Sequence, residues 1–166
     1  MKTAICPGSF DPITLGHLNI IRRAATIFDK VVVCVAVNSG KKSPMFTLDE
    51  RMKMVQKVVA KYDNVEVVSC CGLIAEFAKR YPGAVLVKGL RAASDFDYEF
   101  QMDLINKKIN PELETMFLTS SSKYTFLSSS IVREMASYSA DLNGLVPDEI
   151  INEVENKAKL WRNSNG

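Results

Sequence analysis

Residues 31–37 read Val-Val-Val-Cys-Val-Ala-Val, an apolar run with no polar interruption. A strand with one wet face alternates apolar and polar residues. A run without alternation belongs to a strand covered on both faces, as in a parallel sheet flanked by helices. The run is far too short for a membrane helix, which needs ~20 such residues. Residues 4–6, 65–68, 84–87 and 115–118 supply four more short strand candidates, and helical spacing fills the intervals between them. Leu15, Leu18, Ile21, Ala25 and Phe28 recur every three or four residues. Thr47-Leu48-Asp49-Glu50 is a capping box opening a helix that carries Met52, Val55, Val58 and Val59. Further helices are expected near 73–80, 95–109, 130–138 and 148–161. The fourth of the six stops at Asn110-Pro111, because the residue before proline disfavours helix. Strand–helix alternation of this kind predicts an α/β fold, a doubly wound five-stranded parallel sheet.

The length, 166 residues, suits one domain, expected over residues 1–162 with a disordered tail at 163–166. Lys plus Arg number 21 against 19 Asp plus Glu, a net charge of +2, which argues against a dedicated nucleic-acid binder. The amino-terminal residues show no signal-peptide pattern, so a reducing, cytoplasmic setting is expected. Cys6, Cys34, Cys70 and Cys71 contain no C-x-x-C pair, and His17 is the single histidine, so a zinc site has no ligand set. Cys6 and Cys34 read as small buried hydrophobes, and Cys70 and Cys71, if extended, point to opposite faces.

In doubly wound sheets ligands bind beyond the carboxyl ends of the strands. After the first strand comes Pro7-Gly8-Ser9-Phe10-Asp11-Pro12-Ile13-Thr14-Leu15-Gly16-His17, which is neither a P-loop nor a G-x-G-x-x-G fingerprint. Thr14 is a plausible N-cap, placing His17 in the first helical turn, where free N–H groups and the helix dipole favour an anion. Taken alone, the histidine fits capping or packing as well as it fits phosphate binding. Ser39-Gly40-Lys41-Lys42-Ser43 and Lys88-Gly89-Leu90-Arg91 follow the second and fourth strands, where their cations are either ligands or solvated charges. Ser128-Ser129-Ser130 precedes a helix after the fifth strand. One serine suffices for a cap, so three invite a second role.

Thr14-x-Gly16-His17 resembles the T/H-x-G-H signature of the nucleotidyltransferase superfamily. The longer string 7–17 is similar to that of the bacterial phosphopantetheine adenylyltransferase family. Residues 44–51 (Pro-Met-Phe-Thr-Leu-Asp-Glu-Arg), 88–91 and 126–130 (Phe-Leu-Ser-Ser-Ser) are similar to that family's blocks, in order and at matching spacing. The resemblance spans nearly the whole chain. It implies a Rossmann-like domain that transfers an adenylyl group from ATP to 4′-phosphopantetheine, giving dephospho-coenzyme A and pyrophosphate. His17, Lys41 and Arg91 are then the catalytic group, with Lys42 an alternative to Lys41 because Ser43 resembles an inserted residue. ATP falls to Ser9, Phe10, His17, Gly89, Leu90, Arg91, Glu99 and the stretch Tyr124, Thr125, Phe126, Leu127, Ser128, Ser129 and Ser130. Tyr124 and Lys88 stand where the family usually has tryptophan and arginine. Phosphopantetheine falls to Ser9, Lys41, Ile74 and Lys88. The resemblance further implies Mg2+ carried by ATP through phosphates and water, a homohexamer, and coenzyme A as a feedback ligand. The competing readings are a sibling transferase for another phosphorylated acceptor and a non-catalytic nucleotide sensor.

Overall fold

The computed structural model describes residues 1–37 and 44–165. Five strands, β1 (Thr3–Gly8), β2 (Lys30–Val37), β3 (Val65–Cys71), β4 (Val85–Leu90) and β5 (Glu114–Thr119), form one sheet. Every pairing is parallel, in the order β3-β2-β1-β4-β5. The helices are α1 (Leu15–Ile27), α2 (Leu48–Val59), α3 (Ile74–Ala78), α4 (Ala93–Ile109), α5 (Ser129–Ser137) and α6 (Ile151–Asn165). The expected doubly wound α/β architecture is therefore the one observed. The final turn of α6 includes residues 163–165, and Gly166 lies outside the described residues.

The uninterrupted run in β2 has the cause its sequence suggested. Val31, Val33 and Val35 are buried on one face with Ala4, Cys6 and Val87, against α1, α2, α5 and α6. Val32 and Cys34 are buried on the other with Ile5 and Leu86, against Ala75, Phe77 and Ala78 of α3. Each such side chain contributes roughly 1.5–3 kcal/mol of burial. Cys70 is buried and Cys71 exposed, as expected of neighbours on an extended strand.

The two sides are not equally covered. On α4 the apolar residues Phe96, Tyr98, Phe100, Leu104 and Ile105 are exposed rather than turned into the core. Phe96 stacks on Phe100 at 5.6 Å and meets Phe117 of β5 edge-on at 6.0 Å. Helix α3 is only five residues long, shorter than its sequence pattern suggested.

The chain runs outward from β1 through β2 to β3, then crosses to β4 on the opposite side of β1. The reversal of strand order lies between β1 and β4. That is where a parallel sheet opens a crevice at its carboxyl edge.

Candidate active site

The crevice is a cavity of about 560 Å³ at the carboxyl ends of β1 and β4. Gly8, Ser9 and Phe10 line it from the β1–α1 loop, and Gly16 and His17 from the first turn of α1. Lys88, Gly89 and Arg91 enter from β4, Asp95, Tyr98 and Glu99 from α4, and Tyr124, Leu127 and Ser128 to Ser130 from the segment leading into α5. Two helix N-termini, α1 and α5, thus meet one opening, each offering main-chain N–H groups and a positive dipole end.

Local chemistry fixes the orientation of His17. Thr14 is the N-cap of α1, and its hydroxyl oxygen accepts the His17 N–H at 3.3 Å. In return the Thr14 N–H donates to His17 Nδ1 at 3.0 Å, and the Thr14 hydroxyl lies 3.0 Å from the same nitrogen. This is a capping box with histidine in the place usually held by Glu or Gln. With Nδ1 accepting, the ring proton resides on Nε2. Burial, and secondarily the nearby Arg91 charge, lower the imidazole pKa to about 4. His17 is therefore neutral at physiological pH, a donor through Nε2 that carries no charge. Phe10 meets its ring edge-on at 5.1 Å. Phe10 holds a left-handed φ of 46° and is 3% exposed, with its ring packed over Gly8. A Cβ on Gly8 would fall 2.9 Å from that ring, so any larger residue there has to displace it.

Both described cations of the cavity are held by acids from α4. Lys88 Nζ lies 3.2 Å from Glu99. Arg91 donates from Nε and its main-chain N to one Asp95 oxygen at 3.1 Å, from Nη2 to the other at 3.3 Å, and from Nη1 to the Leu127 carbonyl at 3.1 Å. Burial raises the Asp95 pKa, but the Arg91 hydrogen bonds outweigh it and hold the carboxyl below its ordinary value. Close approach of β4 to α1 is permitted by Gly89, where a Cβ would sit 3.0 Å from Ile20.

The three serines divide their labour. Ser128 caps α5, accepting the Ile131 N–H at 3.2 Å. Ser129 donates to the Pro12 carbonyl at 2.8 Å, joining α5 to the β1–α1 loop. Ser130 accepts from Arg133 at 3.2 Å. Cys6 also borders the cavity, but burial raises its pKa to about 12, so it stays protonated and does not serve as a nucleophile.

Of the residues singled out by sequence, Ser9, Phe10, His17, Lys88, Gly89, Arg91, Glu99, Tyr124, Leu127 and Ser128 to Ser130 converge on this cavity. Leu90 lies instead in a shallower neighbouring hollow, with Phe96 and Thr119. Thr125 and Phe126 do not line the cavity, and Phe126 is 59% exposed. Ile74 begins α3 and packs beside the second core cluster. Lys41 and Lys42 lie outside the described residues.

Three residues around the site went without a role in the sequence reading. The Asp11 carboxylate accepts the Met45 N–H at 3.2 Å and the Phe46 N–H at 2.9 Å. Arg133 donates to the Asp11 carbonyl at 2.6 Å. Arg51 donates to the carbonyls of Ser9, at 2.6 Å, and Ala36, at 3.0 Å. Only Arg51 had a visible signal, a cation on the apolar stripe that includes Val55 and Val58.

Comparison with known proteins agrees with this arrangement. Residues 5–135 match the model of the cytidylyltransferase-like family. A phosphopantetheine adenylyltransferase of Clostridium tetani is 51% identical over 158 residues, 95% of this chain and 98% of that protein. One from Clostridium botulinum (strain Hall) is 50% identical over 157 residues, 95% of each chain. Among solved structures, a protein of Vibrio parahaemolyticus provisionally named nicotinate-nucleotide adenylyltransferase superposes with a TM-score of 0.68 at 20% identity, covering 94% of this chain and 95% of that one. The Plasmodium falciparum nicotinic acid mononucleotide adenylyltransferase gives 0.64 at 16% identity, covering 96% and 95%. At those identities the likeness is one of fold. The chain belongs to the cytidylyltransferase-like family and, within it, to the phosphopantetheine adenylyltransferases.

Proposed function

We propose that the protein reversibly transfers the adenylyl group of ATP to 4′-phosphopantetheine, giving dephospho-coenzyme A and pyrophosphate. One observation carries the reading beyond the relatives' names. Lys88, Arg91, the His17 ring and two helix N-termini share one cavity, and its cysteine is held protonated. This equipment suits two polyanions, and the transfer requires neither a covalent nucleophile nor a general base. The attacking group is a phosphate oxygen, already ionised at neutral pH. Its bond to the α-phosphorus forms as the bond to the bridging oxygen breaks, and pyrophosphate leaves in line. Positioning and charge stabilisation are then the main tasks.

In this mechanism Ser9 orients the attacking phosphate, with Lys88 and, by resemblance, Lys41 holding its charge. Arg91 and the N–H groups at Ser129 and Ser130 take the β- and γ-phosphates. His17 donates from Nε2 to an α-phosphate oxygen as charge gathers there, and Thr14 keeps the donor aimed. The Lys88–Glu99 and Arg91–Asp95 pairs hold both cations in place before substrate arrives. Glu99 and Tyr124 flank the nucleotide, and Ile74 meets the pantetheine arm through its backbone. Among the described residues no cluster of His, Cys, Asp or Glu could cage a metal, and both cavity carboxylates are engaged with cations. That donor set fits Mg2+ entering on the nucleotide and held by phosphate oxygens and water. When bound, it neutralises charge on the triphosphate.

The test is to incubate the protein with ATP, Mg2+ and 4′-phosphopantetheine and follow pyrophosphate release. Nicotinate mononucleotide and a sugar phosphate serve as competing acceptors. A folded, ATP-binding protein that releases no pyrophosphate with phosphopantetheine would sink the assignment. A homohexamer is proposed from the resemblance, for which the exposed aromatic side chains of α4 offer apolar surface to bury, and light scattering checks it. Coenzyme A, which shares the product's phosphopantetheine arm, is proposed as a feedback ligand of the same cavity. No helix among the described residues is long and apolar enough to cross a membrane.

A further inference from the structure

Arg51 is 5% exposed and lies on the buried stripe of α2 with Met54, Val55 and Val58. Its partners among the described residues are two main-chain carbonyls, those of Ser9 and Ala36. Its Nε is buried with no partner among the described residues. The final register pair of β1 and β2 is Gly8 with Val35, so Ser9 and Ala36 are the next residue on each strand. Arg51 Nη1 therefore staples the two chains at the point where they part and the cavity opens.

A neutral amide donor could make such a staple without burying a charge, which is the costlier choice unless an opposite charge is supplied. The two described cations that line the cavity, by contrast, are matched by carboxylates, Lys88 by Glu99 and Arg91 by Asp95. We propose that Arg51 is a positioning residue of the transfer reaction. It fixes Ser9 for the acceptor phosphate by holding that residue's carbonyl from a buried guanidinium. This inference rests on the adenylyl-transfer reading, and it concerns the acceptor side of the cavity rather than the ATP side.

The test compares wild type, R51M, R51K, S9A and the double variant S9A/R51M. It measures thermal unfolding, steady-state kinetics for 4′-phosphopantetheine and the ATP dissociation constant. R51M is expected to lower kcat/KM for the acceptor by ~10–100-fold while ATP binding changes by less than ~3-fold. R51K, which keeps the charge, recovers part of the loss. Because Arg51 acts through Ser9, the double variant loses little more than the worse single one. Should R51M fail to fold, the cycle is run with R51K, whose smaller loss must again fall on the acceptor and be non-additive with S9A. Unchanged acceptor kinetics, equal losses on both substrates, or losses that multiply across the cycle would each overturn the proposal. An inactive wild type would count against the reaction itself, whereas an active wild type with any of these outcomes counts against Arg51 alone.

Discussion

His17 should stay neutral well below the pH at which a free histidine takes up a proton. Because it is the only histidine in the chain, its ring resonances can be followed by NMR without assignment by mutagenesis. The ordinary value of 6.5 is lowered to about 4, first by burial and then by Arg91. At about 1.36 kcal/mol per unit this shift amounts to ~3 kcal/mol, an upper bound because the ring borders an open cavity where water screens it. The sign follows from which state binds the proton. Between pH 6.5 and 4 the unfolded chain protonates its histidine while the folded one does not, so this contribution to stability is complete above 6.5 and is lost as pH falls toward 4. Titration from pH 8 to pH 4 should show a midpoint far below 6.5 and an Nε2–H tautomer throughout the neutral range. Replacing Arg91 with Met should move the midpoint up by less than half of the shift, since burial is the larger cause. A midpoint near 6.5, or a proton on Nδ1, would refute both the donor geometry and its electrostatic explanation.

Three further outcomes can be measured. His17→Ala should reduce turnover by ~10²-fold or more, the loss typical of removing one transition-state donor; near-wild-type turnover would make the residue structural. Lys88→Arg should tighten 4′-phosphopantetheine binding measured by calorimetry, since a guanidinium grips phosphate with two hydrogen bonds where an ammonium acts as a point charge; unchanged affinity would remove Lys88 from the acceptor site. Gly8→Ala places a methyl 2.9 Å from the Phe10 ring and should destabilise the fold by ~1–3 kcal/mol while raising KM, because the displaced ring is the one that abuts His17; an unchanged melting temperature would show that the ring is free to shift.

Much of the architecture was legible because it rests on local patterns. The β2 run announced a strand buried on both faces, and Thr47 with Glu50 announced the start of α2. Thr14 announced α1, which placed His17 correctly. The order of strands was not legible, since the β1–β4 pairing joins residues about eighty positions apart through backbone bonds that leave no side-chain signature. The same holds for the frame of the site. Ser129 reaches Pro12 across more than a hundred residues through a carbonyl that every residue possesses, and Arg133 reaches both the carbonyl and, at 3.5 Å, the carboxylate of the similarly distant Asp11. The sequence pattern marked α4 only as a helix near 95–109 that stops before Pro111. Its exposed Phe96, Phe100 and Leu104 show that periodicity finds a helix more easily than it finds what the helix faces.

The box formed by Thr14 and His17 ties two properties together that most enzymes can alter separately. Glu50 fills the equivalent slot in α2, where it caps the helix start and pairs with Lys157 of α6 at 2.7 Å but lines no cavity. Under the proposed mechanism, the occupant of position 17 must accept a main-chain proton on one side and offer one to substrate on the other. Glutamate meets the first demand and, being ionised, fails the second; alanine fails both. Glutamine and asparagine are the remaining side chains that carry an acceptor and an N–H donor on a short stem, though with a different reach. The first turn of α1 and the reaction chemistry therefore have to be inherited as a unit, and a variant selected for a firmer helix start has almost no letters left to choose from.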